Sequence, residues 1–196
     1  IAQSNIKRML AYSSIAHAGY ILIAVAASVD SPDGVSAALF YMFAYLFSNL
    51  GAFAIVIALE KQDDQGTTLD DYKGLWKRSP AMALAMAVFM LSLAGIPPTG
   101  GFVGKLFVFR TAVEANLTWL AVVGVVTAVI STFYYLRVVY LMFMFEGEAE
   151  IKAKPALRTA VAVMVLVTLL IGLLPNIWFE LARQAGLSGL PLLAGG

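Results

Sequence analysis

Residues 9–29 and 35–59 are two apolar runs with no formal charge, and three more runs follow at 80–113, 117–145 and 159–179. No other feature narrows the choice of fold as far. A run of about 18–20 apolar residues is long enough to cross the hydrocarbon core of a bilayer. Lipid offers no partner to a backbone N–H or C=O, so each run must be helical. The expectation is an all-α, polytopic transmembrane helix bundle: one membrane domain of five spans, the third discontinuous near residues 95–101. Composition agrees, with 61% of the 196 residues hydrophobic and 13% charged, against roughly 25% charged in soluble domains. The net charge is +1, and no basic face interleaved with aromatics offers itself to nucleic acid. The absence of cysteine excludes disulfides, thiolate metal sites and iron–sulfur ligation, and one histidine is too few for a haem or histidine-ligated metal site. The opening IAQSNIKRML has neither an initiator Met nor a signal-peptide layout. The chain is therefore expected to be part of a longer polypeptide.

The third run decides the expected topology. If it crosses once, Lys7, Arg8, Lys61, Lys73, Lys77, Arg78, Lys152, Lys154 and Arg158 all fall on one side, and only Arg110 and Arg183 on the other. A re-entrant hairpin would move residues 146–158 across and largely abolish that bias. Basic residues gather on the cytoplasmic side. A single interrupted crossing is thus expected, with the N-terminal side cytoplasmic and the C-terminus outside. Ser79–Pro80 reads as a helix start, a Ser N-cap followed by Pro at the first helical position. Asp63, Asp64, Asp70 and Asp71 read as solvated surface. The stretch LDDYKGLWKR, residues 69–78, reads as an interfacial helix.

Within the third run, SLAGIPPTGGFVGKLFVFR (residues 92–110) sets two prolines and four glycines before a lysine. A phosphate-binding loop of the form GxxxxGK[ST] fails, because Thr99 stands where Gly is needed and Leu106 where Ser or Thr is needed. The alternative is a broken transmembrane helix. Pro97 and Pro98 cannot continue the hydrogen-bond ladder, and Gly100 and Gly101 permit close backbone approach. Irregular backbone at membrane depth is tolerated where protein or water covers it, and recurs at ion sites. Thr99 is then the expected N-cap of the second half-helix, with Lys105 in its second turn. Burial and the helix N-terminus both penalise the charged form of an amine, so a lysine there responds to small changes in hydration or nearby charge. The competing reading is a lysine that snorkels to the outer headgroups.

Other polar groups fall on helical stripes. His17 lies near the middle of its span, with Ser13, Ser14 and Tyr20 on the same face. Tyr41, Tyr45 and Asn49 form an i, i+4, i+8 stripe with Ser48 beside it, and Thr127, Ser131 and Tyr135 form another. Facing one another, these stripes suit a hydrated proton path around His17 and Lys105; equally, hydroxyls and amides hold membrane helices together. Arg137 reads as snorkelling, and Arg110 and Glu114 as an i, i+4 pair.

Three stretches carry a resemblance: NIKRMLAYSSIAHAGY (residues 5–20), LSLAGIPPTGGFVGKLFVF (91–109) and YYLRVV (134–139). Together they resemble the antiporter-like membrane subunits of respiratory complex I, the proton-pumping NADH:quinone oxidoreductase. Subunits L and M usually have a His- and Lys-containing stretch where this chain reads YLFSNLGAF (45–53), which is like subunit N. Subunit M also usually has Glu at the position of Lys105. The resemblance implies a fold of fourteen transmembrane helices in two inverted five-helix repeats, of which this chain is the last five. It implies that Lys105 is the lysine on the broken helix nearest the periplasmic exit, and His17 the histidine on the central polar axis. It further implies a translocase subunit of the bacterial plasma (inner) membrane, embedded in lipid beside M- and K-type subunits. No redox chemistry or cofactor is then expected on this chain; FMN, iron–sulfur clusters and quinone belong to other subunits. A multisubunit sodium/proton antiporter of the same fold is the alternative, and a purely structural subunit a third. The glutamate and lysines of the family's earlier helices lie upstream of Ile1.

Overall fold

The computed structural model describes residues 3–60, 66–147 and 154–193; Lys61, Asp63, Asp64 and Lys152 lie outside the described residues. The helices are α1 (Ile6–Ala27), α2 (Gly34–Leu59), α3 (Leu75–Arg78), α4 (Pro80–Ala94), α5 (Gly100–Glu114), α6 (Thr118–Met144), α7 (Pro155–Leu173) and α8 (Pro175–Leu193), with a 3-10 turn at Leu69–Tyr72. Helices α1, α2, α6 and α7 are long and apolar enough to cross a membrane, and α4 is apolar but shorter. Large side chains such as Leu22, Val129 and Phe133 are exposed, as suits a surface that faces lipid. This is a multi-pass helical membrane protein.

Helix α2 is the central pillar and packs against α1, α4, α5, α7 and α8. Two apolar layers lie along it. One joins Ile6 and Leu10 of α1, Ile55 and Val56 of α2, Met86 and Phe89 of α4, and Val138 and Met142 of α6. The other joins Ile23 and Ala24 of α1, Ala37 and Tyr41 of α2, and Val108 and Ala112 of α5. Thus α4 covers the C-terminal half of α2 and α5 the N-terminal half.

The connections alternate between the two ends. At one end, residues before α1 dock on the α2–α3 connector: Ile6 N–H donates to the Thr67 carbonyl at 2.8 Å and Leu69 N–H to that of Ser4 at 2.8 Å, while Lys7 pairs with Glu60. Lys77 reaches Glu146 at 2.6 Å, and Trp76 stacks on Phe143, which brings the end of α6 to the same place. Hydrogen bonds from Lys73 and Lys77 hold the exposed Asp70 and Glu146 carboxyls below their usual range. At the other end, Arg110 pairs with Glu114 at 2.7 Å, and Ser31 lies 3.4 Å from Glu114.

Two local readings differ from the sequence expectation. Pro80 does occupy the first position of α4, but Ser79 forms no side-chain capping bond. The fifth run does not continue to residue 179 as one helix. Helix α7 stops at Leu173 and α8 restarts with Pro175, because a proline inside a helix lacks the N–H to bond four residues back and clashes with that carbonyl.

Candidate functional site

Helix α4 ends in a Schellman cap. Gly95, at φ 85°, takes the left-handed conformation that glycine adopts without strain. Its N–H donates to the Ser92 carbonyl at 3.0 Å, and Ile96 N–H donates to that of Leu91 at 2.9 Å. Of the last four carbonyls of α4, the cap therefore satisfies Leu91 and Ser92 and leaves Leu93 and Ala94 open. The chain then passes through Pro97 and Pro98, joined by a cis peptide, and re-enters a helix at Gly100.

Helical side chains lean toward their own N-terminus, so Lys105 reaches back across the first turn of α5. Its Nζ donates to Leu93 O at 2.9 Å and to Ala94 O at 3.0 Å. The Tyr20 ring centroid lies 5.2 Å from the same nitrogen, within the range of a cation–π contact. Lys105 is 6% exposed; it does not snorkel to the surface. The sequence reading set it against the positive end of α5, and the structure adds what that reading missed: the negative end of α4 holds it.

Thr99 occupies the N-cap position of α5 but does not act as a cap. Its hydroxyl donates back to the Ile96 carbonyl at 2.7 Å. The acceptor comes instead from the other half-helix, where Ser92 Oγ takes the Gly101 N–H at 3.1 Å and lies 2.8 Å from Ser48 Oγ on α2. Only glycine fits at 101, since a Cβ there would lie 1.9 Å from the Ser92 carbonyl oxygen. Gly172 of α7 packs against the backbone of Pro98 and Thr99 from the other side.

His17 sits one ring away from Lys105. Its Nδ1 is 2.6 Å from Tyr41 OH and its Nε2 2.9 Å from Tyr135 OH. Tyr45 stacks on it at 4.5 Å, and the Tyr20 ring, which lies under Lys105, meets it edge-on at 5.8 Å. Each tyrosine hydroxyl can donate or accept, so either neutral tautomer of His17, and the imidazolium, can be accommodated by turning two O–H bonds. A narrow void bordered by His17, Tyr41, Ser48, Ser92 and Gly101 joins the imidazole to the helix break. It is too tight for a water molecule, so a hydrated path requires these side chains to part. His17→Phe is expected to remove the imidazole partner of both tyrosine hydroxyls, leaving that of Tyr41 unpaired at a cost of about 1–3 kcal/mol, with His17→Gln recovering part of the loss. An unchanged denaturation midpoint in detergent for the Phe variant would show that the tyrosines do not depend on the imidazole.

The polar stripes are brought together only in part. Ser13, His17, Tyr41, Ser131 and Tyr135 are buried, and Tyr45 joins them through its ring. Ser13, Ser14 and Ser131 donate to carbonyls of their own helices. Thr127 is exposed and donates to Val123 O at 2.7 Å, away from the cluster, although only four residues separate it from Ser131. Asn49 keeps a buried, unpartnered Oδ1. Ser92 and the Leu93 and Ala94 carbonyls were not anticipated. A serine two residues before the final alanine of a helix that stops at Gly-Ile-Pro-Pro is the one sequence signal that marks the first of these, and main-chain acceptors leave no signal at all.

The class is now clear: a multi-pass helical membrane protein, here with a lysine enclosed between the end of α4 and the start of α5. Comparison with known proteins makes it specific. The chain belongs to the NADH:quinone oxidoreductase/Mrp antiporter transmembrane family, which it matches over residues 1–131, and within that family it is similar to subunit N chains of NADH-quinone oxidoreductase. It is 52% identical over 196 residues to NADH-quinone oxidoreductase subunit N 1 of Herpetosiphon aurantiacus, covering 97% of this chain and 39% of that protein. A chain of respiratory complex I from Thermus thermophilus with bound aureothin superposes with a TM-score of 0.80 at 36% identity, covering 91% of this chain and 40% of that one. A chain of the Mrp complex from a Dietzia species also gives 0.80, at 25% identity, covering 90% and 41%. The chain thus spans less than half the length of the relatives it matches.

Proposed function

We propose that this chain carries the outer part of a proton path in a proton-pumping NADH:quinone oxidoreductase, with Lys105 as the group that takes up and releases the proton. The observation that carries this reading is the pairing of Lys105 with two main-chain carbonyls at the end of α4. A neutral amine has two N–H bonds, enough to keep both carbonyls satisfied. A third proton enters on the side of the Tyr20 ring, whose π face welcomes a cation. Protonation can therefore change without orphaning a buried acceptor. His17, between two hydroxyls that both donate and accept, is the relay toward the inner part of the path.

In this reading α4 and α5 form one interrupted crossing, the fourth and fifth crossings are α6 and α7, and the N-terminal side faces the cytoplasm of a bacterial inner membrane, with the C-terminus periplasmic. The charge asymmetry of the connections supports that orientation. Redox changes in other subunits, which carry the FMN, iron–sulfur clusters and quinone, alter charge along the polar axis. Lys105 answers by accepting a proton from the His17 side and releasing it outside. M- and K-type membrane subunits are the expected neighbours. The likeness to an Mrp complex favours one second reading, a sodium/proton antiporter subunit.

Transport measurements on membrane vesicles separate the two. Addition of NADH is expected to drive proton translocation in sodium-free medium. A pH change that requires sodium and proceeds without NADH would replace the pump reading with the antiporter reading.

A further inference from the structure

A second feature lies toward the other end of α4 from the lysine. A groove of about 960 Å³ runs between α4 and α7, with Arg78 and Arg158 at its mouth and apolar walls below, among them Leu84, Val88, Val165 and Leu169. From Arg158 to Leu169 the α7 wall spans twelve residues, a rise of about 16 Å at 1.5 Å per residue. That matches one leaflet of a hydrocarbon core about 30 Å thick.

Among the described residues, the charges at the mouth are unbalanced. Lys73 and Lys77 nearby each meet a carboxylate, Asp70 and Glu146. Arg78 and Arg158 make no ion pair among the described residues, and no acidic side chain lines the groove. Two guanidinium groups facing one opening repel each other unless an anion lies between them, and their planar N–H forks suit a phosphate. A zwitterionic headgroup would bring an ammonium into the same positive field.

We propose that this groove is a binding site for an anionic phospholipid, with the phosphate between Arg78 and Arg158 and an acyl chain along α7. The site is separate from Lys105 and does not depend on the transport reading.

The test is lipid retention by the intact membrane assembly that contains this chain, equilibrated in detergent with equal amounts of phosphatidylglycerol and phosphatidylcholine. Native mass spectrometry is expected to find phosphatidylglycerol retained preferentially, and the double variant R78Q/R158Q is expected to retain about tenfold less of it. V165W, which fills the groove and leaves both arginines, is expected to displace it as well. Phosphatidylglycerol with a photoreactive acyl chain gives a readout that needs no variant, with labelling expected on the α7 peptide between Val161 and Leu169. Equal retention of the two lipids, retention unaffected by R78Q/R158Q, or labelling that misses α7 would each overturn the proposal. So would a crosslink from a photoreactive residue at position 162 to another polypeptide, which would assign the groove to a protein helix.

Discussion

Membranes carrying Lys105→Ala are expected to keep oxidising NADH while losing the protons proposed to pass through this chain, read as a lower proton-to-electron ratio. Removing a group that transfers a proton slows that transfer by about 10²-fold or more. The alanine also leaves the Leu93 carbonyl buried and unpaired, at about 1–3 kcal/mol, and the Ala94 carbonyl with only the 3.4 Å bond from Thr132 Oγ1, so instability alone could imitate the loss. Lys105→Arg separates the two causes. A guanidinium supplies N–H donors to both carbonyls but does not release its proton in a protein. The arginine variant is therefore expected to assemble and resist heat like the parent, yet to translocate as poorly as the alanine. A full proton-to-electron ratio in that variant would remove Lys105 from the path and leave it a purely structural part.

Gly101→Ala is expected to be the most damaging small substitution in the fold. The added methyl would lie 1.9 Å from Ser92 O, a main-chain atom fixed by the cap on α4, so no side-chain rotation relieves the clash. The half-helices must separate, which also stretches the Gly101 N–H bond to Ser92 Oγ. Overpacking typically costs about 1–3 kcal/mol, occasionally more, and a lost buried hydrogen bond adds to it. Gly19→Ala is the matched control. A Cβ at Gly19 meets nothing within 4 Å, and replacing a mid-helix glycine by alanine stabilises a helix by roughly 0.5–1 kcal/mol. Thermal denaturation of both proteins in one detergent should move the midpoints in opposite directions. Equal midpoints would mean that the two half-helices are not held at the distance seen here.

The helical, multi-pass character was legible because the membrane allows one solution for an uncharged run of twenty or more residues. The family was legible because the stretches around His17 and Lys105 are long and specific, and the comparisons bear that out. The ends of the helices were less so. Pro175 lies inside an apolar run, and hydropathy alone carried that run to residue 179; the proline's missing N–H ended it at Leu173. At the site, periodicity found His17, Tyr41 and Tyr135, because residues four apart share a face. It also put Thr127 with them, although its hydroxyl turns to the Val123 carbonyl on the exposed side of α6. Thr99 has the residue type and position of a cap, but its hydroxyl turns back to Ile96, and Ser92 takes the role from another helix. A sequence shows which groups can cap, not which one stands nearest in space.

The counter-pole of Lys105 is made of peptide groups, so no codon change can delete it. Evolution can exchange the amine, but it cannot mutate away two carbonyl oxygens. Their placement answers only to where the first half-helix stops, and one glycine decides that. Gly95 has no contact of its own with the proton proposed to move, yet it sets the polarity at which any side chain borne at position 105 must work.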